Sequence, residues 1–308
     1  MDIDLLSNIL YAMVRTGTPL LLVALGELVC EKSGVLNLGQ EGMLLMGAVV
    51  GFIAALMSGS LLLGFLLAIA AGMIMSLLFG FIALGLNANQ VATGLALTIF
   101  GTGLSAFIGA GFVGKPIDGL EPIALPLLSD IPLLGKMLFS QDLVVYLSFF
   151  LFAAVYWFFR SSRPGLVVKA VGENPHAANA IGLPVMRTRY LAVMFGGAMA
   201  GLAGGYLSIA YTPLWAENMS AGRGWIALAL VVFASWKVER VLLGAWLFGL
   251  ASILHLVFQG LGFSISPNLL ATLPYAATVV VLVLLSRNQI RARLLAPMSL
   301  GKPFHATS

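Results

Sequence analysis

Glu27, Glu31, Asn37, Gln40 and Glu41 stand within one fifteen-residue stretch, inside the segment GELVCEKSGVLNLGQEG that separates two apolar runs. A carboxylate in or near a bilayer is costly, so it faces a cavity or pairs with a neighbour. Carboxylates and amides together offer acceptors and donors to a polar solute crossing an otherwise apolar path. Helix breaks at membrane depth tend to flank such paths, and Ser33-Gly34 and Asn37 are helix breakers here. Glu27, Asn37, Gln40 and Glu41 are therefore the candidate path residues. Asn37 and Glu41 are expected on the cavity, with Glu27 orienting the broken helix through a charge or hydrogen-bond pair. A second reading stands beside this one, in which Glu31-Lys32 is a plain cytoplasmic turn and Glu41 caps a helix start.

Other polar residues carry less. Asn87, Asn89 and Gln90 read as an inner turn, and Thr93 and Thr98 as ordinary helical residues. His255 is a lone histidine in an apolar span. With His176 in a loop and His305 in the tail, three histidines so far apart suggest no metal site. Trp225, Trp236 and Trp246 read as interface anchors or packing residues. Arg223 opens an inward-running helix as an interfacial anchor at the outer edge. Cys30 is the one cysteine, which excludes an internal disulfide. The Gly-Lys pairs at Gly114, Gly135 and Gly301 lack the upstream glycine, the Ser/Thr, or both, so no phosphate loop is present. No nucleophile–base pair is evident, which disfavours an enzyme, and the charge gives no sign of nucleic-acid binding.

The elements around these residues follow from composition. The chain has 308 residues, 60% hydrophobic and 9% charged. Its mean hydropathy is +1.03. No soluble domain hides that much apolar surface, so the expected fold is an all-α, polytopic transmembrane bundle of about 8–10 spans, forming a single transmembrane domain over residues 1–308. The N-terminus lacks a basic region ahead of its first apolar run, so that run reads as a retained span. Spans are expected near Leu5–Val29, Glu41–Met57, Leu61–Gly85, Gln90–Phe112, Leu143–Phe159, Tyr190–Tyr211 and Gly224–Trp236, with two more in Val241–Leu285. Arg15 and Thr16-Gly-Thr-Pro19 are expected to loosen the first. Pro126–Phe139 reads as an amphipathic surface segment, Thr212–Arg223 as an outer loop, and Gly260–Asn268 as an outer turn. Gly197, Gly201 and Gly205, four apart, form a small-residue face for close helix contact.

Orientation comes from residues 160–189, which hold Arg160, Arg163, Lys169, Arg187 and Arg189, five of the sixteen Lys and Arg residues. A basic loop between spans marks the cytoplasmic side. Its middle reads as a short helix, Glu173 to Ala180, entered near Asn174-Pro175 and closed near Gly182. The tail at 287–308, with Arg287, Arg291, Arg293 and Lys302, is cytoplasmic by the same rule.

Three blocks carry a resemblance to a known family: GELVCEKSGVLNLGQEGMLLMGA from Gly26, VGENPHAANAIGLPVMRTRYLAVMFGGAMAGLAGG from Val171, and AGRGWIALALVVFASWKVERVLLGAWLFGL from Ala221. The chain resembles an integral-membrane permease of the ATP-binding cassette importers, in the branched-chain amino acid, ribose and nucleoside group. The tail APMSLGKPF is typical of the nucleoside-type branch. Lys32 stands where the family often has arginine, which keeps charge but not bidentate geometry.

The resemblance implies inward transport of nucleosides or nucleobases, with simple sugars or branched-chain amino acids as alternatives. It implies a bacterial inner or plasma membrane setting and three partners: a cytoplasmic ATPase that binds ATP and Mg, a second permease subunit (often a different chain), and an extracytoplasmic substrate-binding protein. No cofactor is expected in this chain. The resemblance makes Gly172, Glu173, Asn174, Ala177, Ala178 and Gly182 the contact to the ATPase. A secondary transporter or channel is the first rival, but leaves the basic loop without a purpose.

Overall fold

The computed structural model describes residues 3–129, 131–260, 272, 276 and 296–305. Among these the chain is helical, with an isolated bridge between Pro116 and Leu214 and no longer strand. The long apolar helices are α1 (Ile3–Lys32), α2 (Gln40–Ser58), α3 (Leu61–Gly80, prolonged by a π turn at Phe81–Gly85), α4 (Gln90–Gly109, prolonged by a 3-10 turn at Ala110–Phe112), α6 (Leu143–Ser161) and α9 (Val185–Gly205, prolonged by a π turn at Tyr206–Tyr211). These six are long and apolar enough to cross a membrane, and they make the protein a multi-pass membrane bundle. The shorter helices are α5 (Leu134–Phe139), α7 (Arg163–Glu173), α8 (Pro175–Ala180) and α10 (Arg223–Phe233). Helix α11 (Val238–Gly260) follows. The later half of Val241–Leu285, most of the Gly260–Asn268 turn, and Arg287, Arg291 and Arg293 lie outside the described residues.

Burial sorts the helices into a centre and a rim. The apolar windows of α1, α2 and α9 are 72%, 67% and 83% buried, against 39%, 33% and 28% for α3, α4 and α6. The first three therefore form the core. The others turn side chains such as Ile99, Phe107 and Phe150 outward, where lipid tails suit them.

Small residues set the spacing at the centre. A Cβ on Gly47 would stand 2.6 Å from the Gly201 Cα, so α2 and α9 meet backbone to backbone. On the other side of α9, Gly197 abuts the Gly72 carbonyl, Gly201 the Ala68 carbonyl, and Gly205 the Ala68 side chain. All three glycines thus lie on α3, where dispersion from close backbones replaces the hydrophobic drive that lipid cannot supply. Helix α11 packs antiparallel on α1, and a Cβ on Gly17 would sit 2.7 Å from the Ala245 carbonyl oxygen.

Four expectations need correction. Helix α1 runs unbroken through Thr16–Pro19. Pro19 leaves the Arg15 carbonyl without its helical donor, and the Tyr206 hydroxyl donates to it at 3.5 Å. The Arg15 side chain pairs with Asp142 at 3.5 Å and donates to the Ala210 carbonyl at 3.1 Å. An arginine inside the span is thus held by α6 and α9, although its Nε has no hydrogen-bond partner among the described residues. Next, among the described residues Pro126–Phe139 is helical only over its last six, α5, and otherwise turns and a bend. Lys136 of α5 donates to Asn8 at 2.5 Å, tying it to α1.

The third correction concerns residues 160–189, which are not a loop around one helix. Arg160 belongs to α6, α7 fills 163–173, and Arg187 and Arg189 belong to α9. The fourth concerns Thr212–Trp236. Helix α10 has 11 residues, about 16 Å, half of a bilayer core of about 30 Å. The segment before it, taken above as an outer loop, is irregular backbone that runs from Leu214, bridged to Pro116, to Ser220, which bonds Glu41 at the start of α2.

Candidate functional site

The chain leaves α1 at Lys32 and turns at Gly34, whose φ of +87° suits glycine. It then climbs along α4. The Leu36 amide donates to Gln90 Oε1 at 2.9 Å, and the Thr98 hydroxyl to the Leu38 carbonyl at 2.9 Å. A Cβ on Gly94 would meet the Leu38 nitrogen at 2.7 Å, so no larger residue fits. Thr98 lies eight residues past Gln90, about 12 Å along α4. Helix α2 therefore starts inside the bilayer, and residues 33–39 are irregular backbone at membrane depth, tolerated because protein surrounds them.

Glu27 holds this segment. It accepts the Asn37 amide at 3.0 Å and Gln40 Nε2 at 2.5 Å. The Asn37 side-chain oxygen accepts the Gly39 amide at 2.9 Å, and its Nδ2 approaches the Met43 sulfur at 3.6 Å. Glu27, Asn37 and Gln40 are each fully buried. Gln40 Oε1 and Gln90 Nε2 are buried with no hydrogen-bond partner among the described residues.

Glu41, next to Gln40, reaches the start of α10. It accepts the Ser220 hydroxyl at 2.5 Å, the Gly222 amide at 2.9 Å and the Gly224 amide at 2.6 Å. A carboxylate on helix-terminal amides is the favoured arrangement of charge and dipole. A Cβ on Gly224 would stand 2.6 Å from the Glu41 nitrogen, so the starts of α2 and α10 touch. Glu27 and Glu41 thus join α1, α2 and α10 at one buried junction.

Neighbouring groups bind the same helices. Glu31 is buried in the last turn of α1 and accepts the Trp236 indole N–H, so it is more than a plain turn residue. Cys30 donates to the Ala192 carbonyl at 3.2 Å. Arg223 does not anchor an outer edge: its guanidinium donates to the Met219 and Ser220 carbonyls, closing the turn before α10. A cavity of about 730 Å³ lies elsewhere, between α6, α7 and α9. Apart from Arg163 and Thr188 its lining is apolar, including Val155, Trp157 and Phe195, which does not suit a polar solute. Among the described residues no group of His, Cys, Asp and Glu is arranged to hold a metal.

At the end of α6, in the stretch expected on the cytoplasmic side, α7 and α8 form a helix pair. Ser162 caps α7 through the Gly165 amide at 3.0 Å, and Pro164 sits in the first turn, where no amide is needed. Asn174 ends α7 and caps α8 through the Ala177 amide at 3.0 Å. Gly182, at φ +82°, closes α8, with Leu183 donating to the Ala178 carbonyl at 3.0 Å. The helix at this place is Pro175–Ala180, and Glu173 belongs to the helix before it. Gly172 and Ala178 face inward, Ala178 at 3% exposure. Glu173, Asn174, Ala177 and Gly182 face out, and Ile181 stands 75% exposed beside them.

Residues 9–285 match the family described as branched-chain amino acid transport system / permease component. The chain belongs to this permease family. The permease is 40% identical to TsgC13 of Haloferax volcanii, an ABC transporter permease assigned provisionally to glucose, over 97% of this chain and 98% of the relative. It is 34% identical to the guanosine ABC transporter permease NupQ of Bacillus subtilis, over 92% and 93%. It is 30% identical to the nucleoside ABC transporter permease NupC of Lactococcus lactis, over the same shares.

Sequence reasoning missed several residues of the permease that the fold brings in. Ser220 and Gly222 announce a helix start, but nothing local says that Glu41 meets them across 179 residues. Trp236 reads as an anchor until its partner Glu31 is seen. Arg189 reads as a loop charge, yet it is fully buried.

Proposed function

We propose that this permease is one of two membrane subunits of an ATP-driven importer, and that its solute carries a sugar ring, as nucleosides and simple sugars do. The similarity along nearly the whole chain to permeases named for glucose, guanosine and nucleosides carries this reading. ATP and Mg act on a separate cytoplasmic ATPase. An extracytoplasmic binding protein delivers the solute, and a second permease subunit of related sequence completes the path.

Two features of the fold support the division of labour. The outward face of α8, with His176, Ala177 and Ala180 exposed and Ile181 at 75%, offers small residues and one apolar anchor. Exposed apolar groups of this kind mark protein contacts. The ATPase docks there and rocks the attached helices between two packings. Gly172 and Ala178, buried beneath, carry that motion inward rather than touching the ATPase. At the other end, the junction of Glu27, Asn37, Gln40 and Glu41 shapes the solute path where α2 and α10 begin. Gln40 Oε1 and Gln90 Nε2, two of the five buried side-chain atoms without a hydrogen-bond partner among the described residues, provide its acceptor and donor. Glu27 and Glu41 are already engaged and hold the walls in place.

Uptake of labelled nucleosides, bases, hexoses and branched-chain amino acids in cells with and without the gene tests the substrate class. Gene-dependent uptake of a nucleoside or sugar is expected. Uptake of a branched-chain amino acid alone would reject the sugar-ring reading.

A further inference from the structure

The described part of the tail, Ala296–His305, packs back on the cytoplasmic face of the bundle. The Ser299 amide donates to the Gly172 carbonyl at 3.0 Å, and its hydroxyl to the same carbonyl at 2.6 Å. Two residues on, the Gly301 amide donates to the Gly34 carbonyl at 3.1 Å. Phe304 is 5% exposed, packed with Val171 of α7, Ala178 of α8 and Val185 of α9, and its ring lies 5.2 Å from that of His176. A ten-residue stretch thus touches α7, α8, α9 and the turn after α1.

Arg189 lies under this stretch. Its Nε donates to the Ser33 carbonyl at 3.2 Å, Nη1 to the Lys302 carbonyl at 3.4 Å, and Nη2 to the Ser299 hydroxyl at 3.3 Å. The guanidinium also sits 5.9 Å from the Phe304 ring centroid, within cation–π range. No carboxylate pairs with it among the described residues. A fully buried guanidinium needs oxygen acceptors to offset lost hydration, and two of its three come from the tail.

The ends of this arrangement matter. One is α8, the helix whose outer face is exposed. The other is Ser33-Gly34, where the chain enters the segment held by Glu27 and leads into α2 and Glu41. Gly34 and Gly172 stand so close that a Cβ on Gly172 would be 3.3 Å from the Gly34 nitrogen. A rigid connection there passes displacement of α7–α8 to the junction without relying on the loop between α8 and α9.

We propose that residues Ser299–Phe304, clamped on Arg189, are a coupling strap that makes the α7–α8 pair and the turn at Ser33-Gly34 move together. Arg189 is a positioning residue that touches neither solute nor ATP. The proposal rests on the reading that α8 docks the ATPase.

The test uses the assembled transporter with its ATPase, second permease and binding protein, in nanodiscs for exchange and proteoliposomes for uptake. Phe304→Ala removes the ring that joins the three helices, and Arg189→Lys keeps the charge but not the three-way fork. Both variants are expected to assemble and hydrolyse ATP near the wild-type rate. Uptake per ATP is expected to fall about tenfold, the scale of a coupling free energy between sites. Amide exchange is expected to quicken in peptides covering both 33–39 and 163–180. The proposal is overturned if uptake per ATP stays at the wild-type value, or if exchange quickens in the tail alone. Ile181→Asp separates the two readings: unimpaired ATPase binding in that variant rejects docking at α8, whereas the exchange result on the strap is read without the ATPase. Should Phe304→Ala not fold, Arg189→Lys with Ser299→Ala supplies the same readouts.

Discussion

The Glu41 carboxylate tests the junction most sharply, because everything it touches is known. It accepts three hydrogen bonds, from Ser220 Oγ and from the backbone amides of Gly222 and Gly224, at 4% exposure. Glu41→Ala strands two buried donors and a part-buried one at about 1–3 kcal/mol each, on the order of 3–9 kcal/mol together. Inward movement of the α10 start relieves part of this, so the lower half of that range is expected. Glu41→Gln behaves differently. The Ser220 hydroxyl rotates to accept, but either orientation of the amide points its NH2 at one of the two backbone N–H groups. The cost is then one stranded donor and the charge assistance, about 1.5–3 kcal/mol. Ser220→Ala removes one charge-assisted bond of the three but strands no donor and leaves the backbone amides paired, about 1.5 kcal/mol. Thermal unfolding in nanodiscs, with protection of α10 amides by hydrogen exchange, reads all three. The order wild type, Ser220→Ala, Glu41→Gln, Glu41→Ala is expected, with exchange quickening first at the start of α10. A Glu41→Ala protein that melts with wild type and keeps α10 protected would refute the reasoning.

Other substitutions reach the remaining parts. Gly201→Leu should sharply reduce folded yield, measured by size-exclusion profile, because its side chain would enter the Ala68 backbone on α3; a normal profile would mean the α3–α9 contact is looser than described. Ile181→Asp should abolish co-purification with the ATPase while leaving the melting temperature unchanged, whereas Ala178→Trp, buried beneath Phe304, should lower the melting temperature as well. Asn37→Ala should slow initial uptake with normal membrane insertion, since residues 33–39 lose the bond that shapes them; wild-type uptake would make Asn37 dispensable to the path.

Much of the membrane layout is legible from hydropathy. Charge-free runs bounded by Ser58-Gly59-Ser60 and by Asn87–Gln90 have the length of a span, so α2, α3 and α4 lie where the runs lie. Helix ends written in local chemistry are also readable: Asn174-Pro175 and Gly182 bound α8. What local reading misses is satisfied at a distance. Arg15 and Pro19 look like defects in α1 until Asp142 and Tyr206 meet them from α6 and α9. The short α10 looks like a full crossing because the apolar run Gly224–Trp236 ends at Lys237, Glu239 and Arg240, and the contact of its start with Glu41 lies 179 residues away in the chain. Arg189 looks cytoplasmic because arginine usually is, yet carbonyls from two remote segments take it in.

The central claim is that this chain moves solute only as part of an ATP-driven assembly. The direct measurement is uptake of a labelled solute, chosen by the cell assay, into proteoliposomes holding this permease, its partner permease and the ATPase, with the binding protein outside. Uptake is expected to require ATP inside and to be lost when the ATPase or binding protein is omitted. Uptake by this chain alone, or driven by an ion gradient without ATP, would contradict it.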